Sequence, residues 1–261
     1  MTHVSNETKN AHGRTAGTAI VTGAATGFGK AIVETFVGRG VRVCAMDRDA
    51  AGLQAAGFPK DRTMLCTLDL TDRAAVLASV PNVITELGTL DCLVNNAGGI
   101  VGREAVAIED LDLDDWDAVM AANLGSALIM SKLAAPVMKS AGHGRIINLS
   151  SGAGFRASRT GVQAYTSAKH ALHGLTRQLA NELGPFGITV NAVAPGLQPV
   201  SAGTRNQWES YSPEKQNDII SGIPMRSLGT ASDVAEAVAF LGLGPSSYIT
   251  GQILPVNGGS F

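Results

Sequence analysis

The sequence predicts an α/β fold, a doubly wound parallel sheet with helices on both faces in a single domain. Three observations predict it. Short β-like apolar runs alternate with longer helical ones from residue 18 onward. The β-like runs are nearly continuously apolar, as strands covered on both faces must be. A glycine-rich turn, "TGAATGFGK" (22–30), joins the first strand to the first helix.

The elements follow in order. "TAIVT" (18–22) reads as a strand and "GKAIVETFVGRG" (29–40) as a helix closed by glycine. "VRVCAMD" (41–47) and "TMLCTLDL" (63–70) read as strands. A helix covers 72–87, and "LDCLVNN" (90–96) is a strand. A long helix is expected over 114–139, a strand over 144–151 and a helix over 162–183. "GITVNAVAPG" (187–196) is a strand entering a loop. The stretch 197–224 holds Arg205, Trp208 and Tyr211 between prolines and reads as an irregular lid over a substrate. Residues 1–16 are polar and read as a flexible tail, which leaves 17–261 as one domain.

Composition narrows the function. The 261 residues suffice for one large core. Lys and Arg number 20 against 22 Asp and Glu, a net charge of −2, which gives no nucleic-acid footprint. The start of the chain lacks an apolar leader, and no stretch reads as long enough to cross a membrane, so a cytoplasmic protein is expected. Cys44, Cys66 and Cys92 fall in or beside β-like runs and read as buried reduced thiols. His3, His12, His143, His170 and His173 form no metal-ligand pattern, so no metal is expected.

Gly23, Gly27 and Gly29 are spaced G-x-x-x-G-x-G. Glycines at this turn let backbone N–H groups approach a pyrophosphate at a helix N-terminus. Asp47 ends the second strand, 18 residues after Gly29. A carboxylate there accepts hydrogen bonds from the ribose hydroxyls of NAD and repels the 2′-phosphate of NADP. Arg48 follows directly and could favour NADP, but Thr26 occupies the loop position where a cation would help most. Asp69 reads either as an adenine contact or as part of the cap of the next helix. Tyr165 and Lys169, in "AYTSAKHAL" (164–172), share a helical face one turn apart. Alone, that pair fits a surface contact as well as a proton relay.

Taken together, these pieces resemble the compact, single-domain branch of the short-chain dehydrogenase/reductases, a Rossmann-type fold. The motifs run in that family's order: "TGAATGFG" (22–29), "DL" (69–70), "NNAG" (95–98), Asn123 in "MAANLGS", "NLSS" (148–151), "YTSAK" (165–169), "NAVAPG" (191–196) and "ITGQILPVNGG" (249–259). The resemblance implies a catalytic tetrad of Asn123, Ser151, Tyr165 and Lys169. Tyr165 would act as general acid/base. Lys169 and the nicotinamide charge would favour its phenolate, and Lys169 would also hold the ribose. Ser151 would hold the substrate oxygen, with Ser150 as runner-up, and Asn123 a relay water through its backbone. It implies an NAD site made by Gly23, Thr26, Gly27, Phe28, Gly29, Asp47 and Arg48, then Asp69, Leu70, Asn96, Ala97 and Gly98, and finally Tyr165, Lys169, Pro195, Gly196 and Gln198. It also implies a homotetramer acting on a small-molecule alcohol or ketone.

The chain departs from that pattern in places. Ser151 and Tyr165 are 14 apart, one more than the commonest spacing. Gln198 and Val200 replace the usual Ile and Thr, so the Thr contact to the cofactor is lost or passes to Ser201. Asn257 stands where Asp is frequent. Other functions compatible with the sequence are an NADPH-dependent 3-oxoacyl-thioester reductase and a non-catalytic NAD-sensing protein on the same fold. Arg156 and Arg159 could hold an anionic or polyhydroxylated substrate, or lie in solvent.

Overall fold

In the computed structural model, which describes residues 17–260, seven strands run parallel in one sheet. They are β1 (Thr18–Thr22), β2 (Arg42–Asp47), β3 (Thr63–Thr67), β4 (Cys92–Asn95), β5 (Gly144–Leu149), β6 (Ile188–Pro195) and β7 (Ile253–Val256). Their order across the sheet is β3-β2-β1-β4-β5-β6-β7, and every neighbouring pair is parallel. The order reverses between β1 and β4, which opens a crevice beyond their carboxyl ends, where ligands bind in such sheets. The expected 1–16 tail lies outside the described residues.

Nine helices connect and cover the sheet among the described residues: α1 (Gly27–Gly38), α2 (Ala50–Ala55), α3 (Arg73–Leu87), α4 (Leu113–Met120), α5 (Ser126–Ala141), α6 (Gln163–Leu183), α7 (Ala202–Glu209), α8 (Pro213–Ser221) and α9 (Ala231–Leu243). Alternation along the strands builds two cores. Val21, Val43, Ala45 and Val94 face α1 and α9, where Ile32, Phe36, Val234 and Val238 are buried. Ile20, Cys44, Met46 and Leu93 face the other way, onto α3, α5 and α6 through Val80, Met130 and Leu183. The strands are therefore apolar on both sides, which is why they read as continuous apolar runs.

Four expectations need correction. The stretch 197–224 is not irregular: it folds into α7 and α8. Ser201 caps α7 in a capping box with Thr204, and Ser212 caps α8 with Pro213 in its first turn. The long helix expected over 114–139 is interrupted by a π turn, Ala121–Gly125, between α4 and α5. The strands expected to reach 70 and 151 stop at Thr67 and Leu149, because residues beyond them turn toward the crevice. One run, Leu113–Ala141, does meet the length and composition needed to cross a membrane. Of its most apolar 18-residue window, 44% is buried inside the fold, where Val119, Met130, Ala134 and Met138 join the core.

The three cysteines are free thiols. Cys44 and Cys92 are buried as expected, whereas Cys66 is half-buried. Full burial pushes the Cys92 thiol up to about 12. Cys44 and Cys66 hydrogen-bond between β2 and β3, which lowers Cys66 to about 7 and raises its partner.

Candidate active site

The glycine turn is strapped down from two sides. Ala24 N–H donates to the Met46 carbonyl at 3.1 Å, and Ala25 N–H to Asp47 Oδ2 at 3.0 Å. From the other side, Asn96 Nδ2 donates to the carbonyls of Thr22 and Gly23, each at 2.9 Å. The Thr22 hydroxyl accepts from the N–H groups of Asn96 and Ala97, each at 3.0 Å. Gly23 and Gly27 sit at φ +64° and +58°, which an L side chain rarely adopts. Gly29 packs its Cα directly against the Gly23 carbonyl, and a Cβ there would also stand 2.6 Å from Asn96 Nδ2.

This bracing leaves the start of α1 open. Thr26 makes no side-chain cap, whereas α2, α3 and α4 are each capped by an aspartate. The uncapped N–H groups face a cleft of about 420 Å³. An open helix N-terminus in a braced glycine turn suits a pyrophosphate. The cleft is lined by Gly23, Thr26, Gly27 and Phe28, by Asp47 and Arg48, by Asp69 and Leu70, by Asn96, Ala97 and Gly98, and by Tyr165, Lys169 and Pro195. Most of the predicted cofactor residues are thus brought together. Gly29 lies beneath the turn rather than on the cleft wall. Gly196 and Gln198 line a neighbouring cavity of about 190 Å³ instead. Thr71, Gly99, Val101, Val200, Ser201 and Thr204 also line the cleft and were not expected there, apart from Ser201. Val101 stands at φ +55°, a strained turn with no sequence signal.

At the far end, both Asp47 oxygens are engaged by backbone: Oδ2 by Ala25 and Oδ1 by Asp49 N–H at 3.0 Å. Asp69 Oδ1 accepts from the backbone and hydroxyl of Thr71, at 2.9 and 2.7 Å. Those bonds, then the nearby Arg48, hold its carboxyl below the usual range. The cap of α3 is Asp72 rather than Asp69.

A buried amide chain organises the other end. Asn95 Nδ2 donates to Asn148 Oδ1 at 2.9 Å, and Asn148 Nδ2 to Thr176 Oγ1 at 2.9 Å, which joins β4 and β5 to α6. Asn123 lies in the π turn with its side chain fully occupied. Its amide donates to the carbonyls of Gly99 and Val119 at 2.8 Å each, and its oxygen accepts from Gly99 N–H at 2.9 Å. Any relay through Asn123 must therefore use its backbone.

Lys169 is 4% exposed, and its ammonium has one protein acceptor, the Leu149 carbonyl at 2.9 Å. Burial lowers it to about 8. A buried cation with unused donors suits ribose hydroxyls. Its Nζ lies 5.6 Å from the Tyr165 ring centroid. Desolvation raises the Tyr165 hydroxyl above its ordinary value, and the nearby Ser151 side chain partly pulls it back. In the protein alone, burial outweighs that lowering.

Ser151 closes the tight turn Gly152–Gly154 by accepting from Ala153 N–H at 3.1 Å. Ser150 is turned to His173, with its Oγ 2.7 Å from Nε2. Burial, followed by the charges of Arg177, His170 and Lys169, lowers His173 to about 4. The extra residue between Ser151 and Tyr165 is absorbed in the loop before α6, and the two side chains still line one cavity. Tyr165 lines both the long cleft and the smaller cavity, so its hydroxyl stands where the two meet. Among the described residues no group of three His, Cys, Asp or Glu side chains could hold a metal ion.

Comparison with known proteins agrees with this arrangement. Residues 23–260 match a family model described as enoyl-(acyl carrier protein) reductase. The chain is 36% identical over 245 residues to 3-oxoacyl-[acyl-carrier-protein] reductase of Escherichia coli (strain K12), which covers 93% of the chain and 96% of the relative. It is 36% identical over 246 residues to 2-dehydro-3-deoxy-D-gluconate 5-dehydrogenase of Bacillus subtilis (strain 168), with 93% of each covered. Among solved structures it is similar to levodione reductase, with TM-score 0.85, 28% identity, and 94% and 96% of the two chains covered.

Proposed function

The chain belongs to the short-chain dehydrogenase/reductase family, and within it we propose an NAD-dependent dehydrogenase that oxidises the secondary alcohol of a small molecule, or reduces the matching ketone. One observation carries the reading: Tyr165 stands on the shared wall of two cavities, one lined by the glycine turn and the other by Ser151. A proton donor at that junction can serve a substrate in one cavity and a dinucleotide in the other.

The residues divide the work. A nicotinamide held in the cleft would supply hydride transfer, and in its oxidised form a positive charge that would favour the Tyr165 phenolate. Ser151 donates to the substrate oxygen and holds it against the tyrosine. The Tyr165 phenolate takes the hydroxyl proton of the alcohol as the carbonyl forms, and in ketone reduction the phenol returns it. Lys169 holds the ribose hydroxyls with the donors that Leu149 leaves free, and its charge steadies the phenolate. The buried Asn123 keeps the turn at Gly98 and Gly99 beside the cofactor.

Asp47 supports NAD over NADP, because a carboxylate repels a 2′-phosphate. Arg48 and the likeness to a 3-oxoacyl-[acyl-carrier-protein] reductase favour a second reading, an NADPH-dependent 3-oxoacyl-thioester reductase. The small second cavity favours the first. A homotetramer is supported by the edge strand β7 with exposed Leu254, and by exposed Phe240 and Tyr248 near it. A monomer in light scattering would remove that part. Cytoplasmic location is supported by the three free thiols. The test of the whole is turnover of mixed secondary alcohols and ketones with NAD(H) and NADP(H). Activity with neither cofactor would leave the non-catalytic, NAD-sensing reading in its place.

A further inference from the structure

We propose that the smaller cavity takes a short hydroxy acid, or the corresponding oxo acid, with its carboxylate held by Arg159; this rests on the oxidoreductase reading above. The charge of the wall is the first argument. Arg156 and Arg159 both line the cavity, and no Asp or Glu side chain does so among the described residues. An anion entering there meets the Arg159 guanidinium with no Asp or Glu carboxylate beside it among the described residues.

The two arginines are not equivalent. Arg156 Nη1 donates to the Ser260 carbonyl at 2.9 Å, so that side chain ties down the C-terminal segment. Arg159 has no ion-pair partner among the described residues. The loop beneath it is held in place. Ser158 Oγ and Thr160 Oγ1 lie 2.8 Å apart, and Ser158 N–H donates to Thr166 Oγ1 at 3.2 Å. Thr166 follows Tyr165 in the first turn of α6. The guanidinium is therefore carried on a loop fixed to the same turn that carries the general acid/base, which favours a constant distance between anion and reacting carbon.

The wall is also polar. Gln198 is 3% exposed, and its Oε1 has no hydrogen-bond partner. Asn257 Oδ1 accepts from Gly259 N–H at 2.9 Å, which sets the orientation of that amide and leaves its buried Nδ2 unpartnered. Both atoms are shut off from solvent behind the cavity wall, so they make the wall polar without presenting a free hydrogen-bonding group to a ligand. Gly229 packs tightly on Gln198, where a Cβ would stand 2.5 Å from Nε2, so the amide is confined. The volume agrees: 190 Å³ lies below the range of about 300–1,000 Å³ for drug-sized ligands.

The experiment compares short-chain hydroxy acids with their own methyl esters, using the full-length protein and its preferred nicotinamide cofactor. The acids are expected to have the higher kcat/KM. Arg159→Gln should raise KM for the acids by about tenfold or more, as for a lost charge-assisted bond, and leave KM for the esters and kcat for both little changed. Arg159→Lys should recover part of the loss. Equal kcat/KM for acid and ester in the wild type would overturn the inference and leave the oxidoreductase reading standing. So would an Arg159→Gln variant that weakens both substrates alike. If the wild type turns over neither acids, esters nor neutral ketones, the oxidoreductase reading fails and the inference falls with it.

Discussion

Lys169 Nζ lies over the Tyr165 ring, 5.6 Å from its centroid, and not at the phenol oxygen. Its one protein hydrogen bond goes to the Leu149 carbonyl. The lysine thus stands between the end of β5 and the tyrosine, with donors left for a ribose. Ser151 and Tyr165 line the same smaller cavity. In the proposed mechanism the serine and the lysine divide the labour: the serine would aim the phenol, and the lysine would supply charge and hold the nucleotide ribose.

Tyr165→Phe keeps the ring over which Lys169 packs and removes only the proton donor. General acid–base catalysis contributes roughly 10²–10⁴-fold, so turnover should fall by at least that factor. Melting temperature and NAD affinity should stay close to wild type. Lys169→Ala should lose both activity and NAD affinity. Because Tyr165 takes the alcohol proton as a phenolate and returns it as a phenol, alcohol oxidation should climb as the pH rises, while ketone reduction declines. Near-normal turnover of Tyr165→Phe at saturating NAD would reduce Tyr165 to a packing residue.

Asp47 is bound by the N–H groups of Ala25 and Asp49, so it braces the glycine turn as well as facing the cleft. Asp47→Ala would mix the two effects, since two donors lose their acceptor at about 1–3 kcal/mol each where they are buried. Asp47→Asn keeps one acceptor oxygen and removes the charge. It should bring NADP use up toward NAD use, with a smaller loss of stability than Asp47→Ala. The ratio of kcat/KM for the two cofactors checks this. A wild type that already uses both equally would refute the role given to Asp47.

Much of this was legible in the sequence, and the misses share a cause. Core strands such as β1 and β6 announce themselves because both faces are buried, so apolar residues continue through both alternations with only Thr or Asn among them. The segment holding α7 and α8 lacks such a signal. Its helices bury no residue fully, and their sequences, "AGTRNQWE" and "PEKQNDIIS", are mostly polar. What was readable there was capping: Ser201 with Thr204, and Ser212 before Pro213. The glycine turn and Tyr165 were found because each follows a local pattern. Val101, Thr71 and Gly99 reach the same cleft through tertiary folding, and no spacing marks them.

Gly29 tests the bracing of the nucleotide turn. An added Cβ would meet the Gly23 carbonyl, which is backbone and cannot rotate away, and the Asn96 amide at 2.6 Å. Gly29→Ala should therefore push the turn off the Asn96 bonds. Overpacking of this kind costs about 1–3 kcal/mol, so the melting temperature should fall. The rise in melting temperature that NAD produces in the wild type should shrink too. A variant with unchanged stability and the full NAD shift would mean that the turn has room that the structure does not show.

His173 makes the fold sensitive to acid. It is 4% exposed, lies against Ser150 Oγ at 2.7 Å, and packs on Gly154 so closely that a Cβ there would stand 2.5 Å from Nε2. Its folded pKa is lowered from 6.5 to about 4, first by burial and then by the charges of Arg177, His170 and Lys169. The sign follows from proton counting. Below 6.5 the unfolded chain takes up a proton that the folded histidine refuses until about 4. Within that window the unfolded state binds more protons, so stability falls as the pH falls. Above it both states are neutral and the contribution is constant. The denaturation midpoint should therefore drop between about pH 7 and about pH 5, and His173→Gln, which can still bond Ser150, should lose less over the same interval. The loss should be visible in activity as well, because the Ser150–His173 bond adjoins the turn that presents Ser151. If wild type and His173→Gln lose stability in parallel, other groups carry the acid sensitivity and the buried histidine does not.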